Sequence, residues 1–300
     1  MTLHPQARRA VEQAAGETKV HHPDFDLARA RREAREAAAA EPREPVAEVR
    51  DVDADGVPCR LYRPDHALPG LVVHLHGGGF VLNDVDVHDA AVRRFANRLG
   101  HAVLSVDYRR PPEHPFPAAP DDVDTVLAWV AAQPDLAGPL AVHGDSAGGN
   151  LALVAALRNP GRCVAAALVY PFLDPSQGFP SYAEAAEAEG GVGFEPAEAA
   201  WFWDQYAATP ADLQHPDLAP LRSDRLHTLP PTLVVTAEHD PLRDEGEHLA
   251  ARLAEEGVEV VATRCLGQVH GFWRHPAVFD AAGPLVAQVA AYLQGHLRRG

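Results

Sequence analysis

Cysteine, lysine and long apolar runs are all scarce in this chain of 300 residues. Cys59, Cys163 and Cys265 are odd in number and widely spaced, which argues against a disulfide framework and against a Cys-x-x-Cys metal or redox site. Residues 1–19 lack the apolar region of a signal peptide, and no apolar stretch is long enough to cross a bilayer. We therefore expect a cytoplasmic protein whose cysteines are small core residues.

Positive charge is scarce as well, and Lys19 is the one basic residue other than histidine that is not arginine. The formal net charge of −16, without a basic stripe, disfavours nucleic acids and anionic membranes as partners. Hydrophobic residues make up 46% of the chain, which is enough for a large core. The length suits one enlarged domain or a domain with an insertion.

Strand and helix patterns alternate from residue 46 onward. Asp55-Gly56 separates two strand patterns and is a hairpin signal, so these strands should form an antiparallel edge. The alternation predicts an α/β fold with a mostly parallel sheet covered on both faces. Strands are predicted over 46–52, 57–63, 71–76, 101–106, 140–143, 164–170, 232–237 and 258–263, and helices over 88–99, 121–132, 147–157, 245–255 and from 276 onward, broken at Gly283-Pro284.

Two regions depart from this alternation. Residues 1–45 predict Ala-rich helices at 7–15 and 26–40, either solvated on the core or forming a mobile lid. Residues 176–215 are rich in Pro, Gly and acidic side chains around a possible helix, whose aromatic residues either pack or line a pocket. These aromatic residues are Trp201, Phe202, Trp203 and Tyr206. We expect an N-terminal cap segment over 1–45, an inserted cap segment over 176–215, and a catalytic core over 46–175 and 216–300.

The sequence GDSAGGN at 144–150 follows an apolar strand and precedes a helix. Gly144 and Gly148 flank Ser146 in the G-x-S-x-G pattern of a nucleophile elbow, where a tight turn exposes the serine hydroxyl above the sheet. The alternative is a glycine-rich loop whose serine merely caps the following helix. A nucleophilic serine also needs a base and a carboxylate that orients the base.

Both partners occur late in the chain, each after a predicted strand. Asp240 follows the strand at 232–237, and His270 follows the strand at 258–263. Catalytic groups gather at the C-terminal edge of parallel sheets, so these residues can converge on Ser146 in the order Ser, Asp, His. Glu238 and Asp244 remain alternatives to Asp240.

Three consecutive glycines at 77–79 offer free backbone amides. The amides of Gly78, Gly79 and Ala147 are the candidates for an oxyanion hole. A phosphate cradle is the competing interpretation, but no P-loop pattern with its lysine is present. His74 and His76 have the spacing of a zinc pair without a third ligand pattern, so we expect no metal and no cofactor.

Five motifs together resemble those of the bacterial hormone-sensitive-lipase-like carboxylesterases, over about residues 46–295. The motifs are HGGGF at 76–80, DYRRPPEHPFPA at 107–118, GDSAGGN at 144–150, DPLRDEG at 240–246 and HGF at 270–272. The resemblance implies an α/β-hydrolase fold with a cap, short to medium acyl esters as substrates, no cofactor, and a homodimer. Arg110-Pro111 departs from the usual Leu-Ala.

The predicted activity is a serine carboxylesterase with Ser146, Asp240 and His270 as the triad. Phe80, Trp201, Tyr206 and Phe272 are expected to line the substrate pocket. An amidase or deacetylase with the same triad is the close alternative. A small-molecule receptor on this scaffold is a second class of function. The plant gibberellin receptor resembles the family but lacks its catalytic histidine, whereas His270 is present here. An interaction protein that acts through the acidic N-terminal helices is a third class.

Overall fold

Runs of small and branched apolar residues form the central strands, which are buried on both faces. The computed structural model describes residues 2–299 and contains one eight-stranded sheet in the order β1-β2-β4-β3-β5-β6-β7-β8. The strands are β1 (Glu48–Ala54), β2 (Val57–Arg63), β3 (Leu68–Leu75), β4 (His101–Val106), β5 (Leu140–Asp145), β6 (Ala165–Val169), β7 (Thr232–His239) and β8 (Val260–Val269).

The hairpin β1-β2 forms one antiparallel edge of the sheet, and β2 also pairs with β4 in the antiparallel sense. The pairs from β4 through β8 are parallel, as the alternation predicts. The C-terminal ends of these strands therefore meet at one edge of the sheet, where ligands bind in open parallel sheets.

Helices cover both faces of the sheet. They are α1 (Pro5–Ala14), α2 (Leu27–Ala39), α3 (Val85–Leu99), α4 (Ala118–Ala131), α5 (Ala147–Arg158), α6 (Pro180–Glu187), α7 (Pro196–Tyr206), α8 (Arg243–Glu255) and α9 (Ala282–Leu297). Neighbouring residues of β3 belong to different buried clusters: Val73 packs with side chains of α4, α5 and α8, and Val72 with those of α3 and α9. Because successive side chains of a strand point to opposite faces of the sheet, each face has its own buried core.

Two sequence predictions need correction, and one helix was not predicted. The C-terminal helix is not broken at Gly283-Pro284, because these residues lie in its first turn, where proline is tolerated. Strand β8 continues to Val269, so His270 follows it directly rather than after a loop. Helix α6 was not predicted, because its eight residues are too short to carry a clear helical period.

Residues 2–45 contain α1 and α2, and residues 176–215 contain α6 and α7. Cys59 and Cys163 are buried core residues, and Cys265 is partly exposed. Within residues 2–299, no helix combines the length and the apolar character that crossing a membrane requires.

Candidate active site

Ser146 lies in the turn between β5 and α5, with φ 56° and ψ −122°. The turn is tight: a Cβ on Gly144 would lie 2.1 Å from the Gly148 carbonyl oxygen, and one on Gly148 would lie 2.0 Å from that of Leu75. Both positions therefore require glycine. Within residues 2–299 the Ser146 hydroxyl makes no capping bond to α5, so the helix-cap interpretation does not describe this serine.

The structure brings Ser146, His270 and Asp240 into one chain of hydrogen bonds. The Nε2 atom of His270 lies 2.9 Å from the Oγ of Ser146, and its Nδ1 atom lies 2.7 Å from the Oδ2 of Asp240. Asp240 is buried, and its other oxygen accepts a bond of 2.9 Å from the Leu242 amide. This order of groups is the one that converts a serine hydroxyl into a nucleophile.

The two alternative carboxylates are occupied elsewhere. Glu238 accepts a bond of 2.6 Å from the Gly267 amide, and Asp244 accepts one of 2.9 Å from the Ser181 amide. Ser181 also donates its hydroxyl to the Pro241 carbonyl oxygen at 2.6 Å, so helix α6 supports the loop that holds Asp240.

The glycine loop after β3, residues 77–79, is held by one hydrogen bond to the Asp145 side chain and one to the backbone that follows it. The Gly77 amide donates to Oδ1 of Asp145 at 3.1 Å, and the Gly78 carbonyl oxygen accepts from the Leu82 amide at 2.7 Å. Gly78 and Gly79 have φ of 123° and 59°, which favours glycine at both positions. Gly78 and Gly79 line the cavity beside Ser146, and Ala147 begins α5, where the helix dipole favours an anion.

A cavity of about 240 Å³ opens beside Ser146. Its walls combine the glycine loop, the inserted segment and Val20 of the N-terminal segment. The lining residues are Val20, Gly78, Gly79, Leu82, Asn83, Asp145, Ser146, Phe172, Phe194, Glu198, Phe202, His270, Gly271, Arg274 and His275. We call this space the inner cavity.

The four aromatic residues that the sequence assigned to the pocket lie outside this lining. Phe80 and Tyr206 are fully buried and stack on each other with ring centroids 3.8 Å apart. Phe272 is also buried, and Trp201 packs against Phe25 and Phe202. The role of these four residues in a substrate pocket therefore stays a prediction.

The aromatic residues of the inner cavity are instead Phe172, Phe194 and Phe202. The ring of Phe194 lies 4.8 Å from the ring of His270, centroid to centroid. Sequence analysis singled out the cluster that contains Phe202 but missed Phe194 and Val20. Neither has a periodic pattern around it, so no local signal distinguishes these residues.

Buried histidines lie beneath the elbow. Burial lowers the pKa of His76 and of His143 to about 3, so both imidazoles are neutral at physiological pH. The Nδ1 atoms of His74 and His143 lie 2.9 Å apart. Burial raises the pKa of Asp145, which precedes the serine.

His74, His88 and Asp145 offer ligand atoms within 4.8 Å of one another. Two imidazoles and a carboxylate are donors suited to a transition metal. Asp145 already accepts the Gly77 amide, so this grouping also has a structural role in holding the glycine loop. This grouping contains His74 but not His76, the other histidine with the spacing of a zinc pair.

Comparison with known proteins places this site in a family. A family profile described as the alpha/beta hydrolase fold matches residues 72–274. Ethyl acetate hydrolase of Pseudomonas putida is 35% identical over 82% of this chain and 80% of its own, and esterase LipI of Mycobacterium tuberculosis is 38% identical over 80% and 81%. The structure of a hyperthermophilic esterase from the archaeon Pyrobaculum calidifontis superposes with a TM-score of 0.89 at 38% identity, over 98% of this chain and 99% of that one. The chain therefore belongs to the α/β-hydrolase family, within the hormone-sensitive-lipase-like carboxylesterases that its motifs indicated.

Proposed function

We propose that this protein is a serine carboxylesterase that hydrolyses short- to medium-chain esters through an acyl-enzyme. The observation that carries the proposal is the unbroken chain of hydrogen bonds from Ser146 Oγ through His270 to Asp240, opening on a small cavity. The named functions of the relatives, ethyl acetate hydrolase and esterases, support the same reaction class.

The first half of the reaction forms the acyl-enzyme. Oδ2 of Asp240 accepts a hydrogen bond from the Nδ1–H of His270, which leaves the Nε2 lone pair directed at the Ser146 hydroxyl. As Oγ attacks the ester carbonyl carbon, its proton passes to Nε2. The tetrahedral intermediate collapses, the alcohol leaves with that proton, and the acyl group remains on Oγ.

Water completes the cycle by the same route. His270 takes a proton from water, the hydroxide attacks the acyl carbon, and the proton then returns to the Ser146 oxygen as the carboxylic acid leaves. In both halves, negative charge develops on the carbonyl oxygen, and the amides of Gly78, Gly79 and Ala147 are the proposed donors. One such donor contributes about 3–4 kcal/mol to lowering the barrier.

The size and lining of the inner cavity favour small esters. Its volume of about 240 Å³ lies below the roughly 300–1,000 Å³ of typical small-molecule pockets. Phe172, Phe194 and Phe202 supply apolar surface for an acyl chain. Amides remain the alternative substrates, because the same triad attacks both kinds of carbonyl.

Hydrolysis of p-nitrophenyl esters from acetate to dodecanoate by the purified protein tests the proposal. We expect a maximum at short or medium chains, and a loss of about 10⁵–10⁶-fold in kcat for Ser146→Ala. Ser176→Ala, which alters an exposed serine, should retain full activity. Full activity in Ser146→Ala contradicts the assigned nucleophile, and hydrolysis of anilides without any ester turnover favours the amidase.

We further propose that the chain forms a homodimer. Strand β8 is an edge of the sheet, and it exposes Val261 and Leu266, the latter at 71%. Long edge strands with exposed apolar side chains pair readily with other chains. A monomeric mass in sedimentation velocity would contradict this proposal.

The cytoplasmic location stays a prediction, which localisation of a tagged protein in cells would test.

A further inference from the structure

Lys19 is the one lysine of the chain, and it joins the N-terminal segment to the inserted segment. Its Nζ donates to the Gly193 carbonyl oxygen at 3.0 Å and lies 3.4 Å from carboxylate oxygens of Glu195 and Glu198. The next residue, Val20, is buried and lines the inner cavity. A single side chain thus holds a wall residue of the inner cavity in place.

A second cavity, of about 720 Å³, adjoins the inner cavity and shares three of its lining residues. We call it the outer cavity. It runs between the loop that follows α1, helix α2 and the inserted segment, and Phe25, Ala30 and Ala34 are among its lining residues. The inner and outer cavities share Val20, Leu82 and Glu198 as lining residues.

Glu198 adds a charged group to the wall between the two cavities. It is only 9% exposed, and it lines both cavities. Burial raises the pKa of its carboxyl, and Lys19 acts in the opposite direction. An acyl chain that crosses the wall must remove the remaining water from a charged pair, which is unfavourable unless the pair stays satisfied.

The N-terminal segment has a second anchor on the core side. Arg31 of α2 donates to the carbonyl oxygens of Val81 and Pro111, at 2.9 and 2.6 Å. Val81 lies two residues after Gly79 in sequence. Arg31 therefore fixes this segment near the glycine loop, whereas Lys19 fixes it against the inserted segment, and Val20 lies on the Lys19 side.

We propose that Lys19 is a specificity-determining residue that closes the inner cavity off from the outer cavity and thereby limits the length of the ester that the enzyme accepts. The inference rests on the proposed esterase function and deepens it. Lys19 contacts no reacting atom, so its effect is on substrate length rather than on the chemical step. Without the Lys19 side chain, the segment that carries Val20 is no longer bonded to Glu198. A longer acyl chain can then reach the apolar surface of Phe25, Ala30 and Ala34.

The experiment compares kcat/KM for p-nitrophenyl octanoate and butyrate in the wild type, Lys19→Met and Lys19→Arg. We expect the octanoate-to-butyrate ratio to rise about fivefold or more in Lys19→Met, a size typical of a pocket contact that discriminates between chain lengths. Lys19→Arg keeps the charge and the donors and should stay within about twofold of the wild type. Arg9→Ala, which removes an exposed cation of α1, should not change the ratio.

Glu198→Gln provides an independent test if Lys19→Met folds poorly. It removes the charge from the other side of the pair with nearly the same shape, and it should move the ratio in the same direction. An unchanged ratio in both variants overturns the inference, and so does an equal fall at every chain length with a lower melting temperature. Absence of ester hydrolysis in the wild type overturns the proposed function instead, and the inference with it.

Discussion

The triad region and the cap segments are built in different ways. Ser146, Asp240 and His270 each follow the C-terminal end of a parallel strand. The strands before Ser146 and Asp240 are buried, and the edge strand before His270 is buried over its last three residues, so packing of the sheet holds the backbone at all three positions. Val20, Phe194 and Phe202, which shape the inner cavity, come from segments with weak periodicity joined by ion pairs such as Lys19–Glu198.

This difference assigns catalysis and substrate preference to different parts of the molecule. Catalytic groups must be held within fractions of an ångström, so they sit on rigid elements. Substrate preference requires only a wall of suitable shape, and loops and short helices can supply one without disturbing the sheet. We therefore expect core substitutions to change kcat and cap substitutions to change the profile over chain lengths.

The largest expected effect tests the core side of this comparison. Asp240→Asn should lower kcat by about 10⁴-fold, because the amide cannot hold the His270 tautomer that accepts the serine proton. Asp244→Asn is the matched control, since Asp244 bonds Ser181 and Arg243 instead. Kinetics on p-nitrophenyl butyrate measure both variants, and equal losses would show that Asp240 has no special role.

A smaller effect is expected where core and cap touch. A Cβ on Gly79 would lie 2.2 Å from the Phe202 ring, so Gly79→Ala must displace either the glycine loop or the cap. We expect kcat to fall about 10²–10³-fold, the cost of one misplaced oxyanion donor.

Two further variants identify the cause of that loss. Gly79→Ala combined with Phe202→Ala should recover part of the rate, because the ring that Cβ meets is gone. Gly161→Ala shares a positive φ but has nothing within 4 Å, so it should affect stability alone. A rate in Gly79→Ala within tenfold of the wild type would contradict the assigned donor.

The smallest expected effect concerns stability of the core against pH. Burial holds the pKa of His143 near 3, whereas an unfolded histidine titrates near 6.5, so the unfolded chain binds more protons between these values. Stability should therefore fall as the pH drops below about 6.5.

His143→Gln should reduce that slope by at most about 1.4 kcal/mol per pH unit, the contribution of one proton. His66→Gln, at an exposed histidine, should leave the slope as in the wild type. Urea unfolding between pH 4.5 and 7.5 measures the slopes. A slope in His143→Gln equal to that of the wild type would mean that His143 does not contribute.

The sequence was sufficient to predict that Ser146, Asp240 and His270 lie close together. Each of them follows a predicted strand, and the C-terminal ends of parallel strands meet at one edge of the sheet. The sequence was not sufficient for α6, whose short stretch has no distinctive period, or for the length of β8, whose exposed residues interrupt the apolar pattern. It also placed Phe80 and Tyr206 in the pocket, although they stack on each other in the core.

The sequence by itself determined the elbow, the glycine loop and the order of the three residues of the proposed triad, because short patterns of residues specify local turn geometry and strand ends. Tertiary structure alone decided which side chains form the inner cavity and that Lys19 meets Glu198, 179 residues away. The physical reason is that a local pattern reports backbone geometry, whereas a cavity wall depends on how distant segments pack against one another.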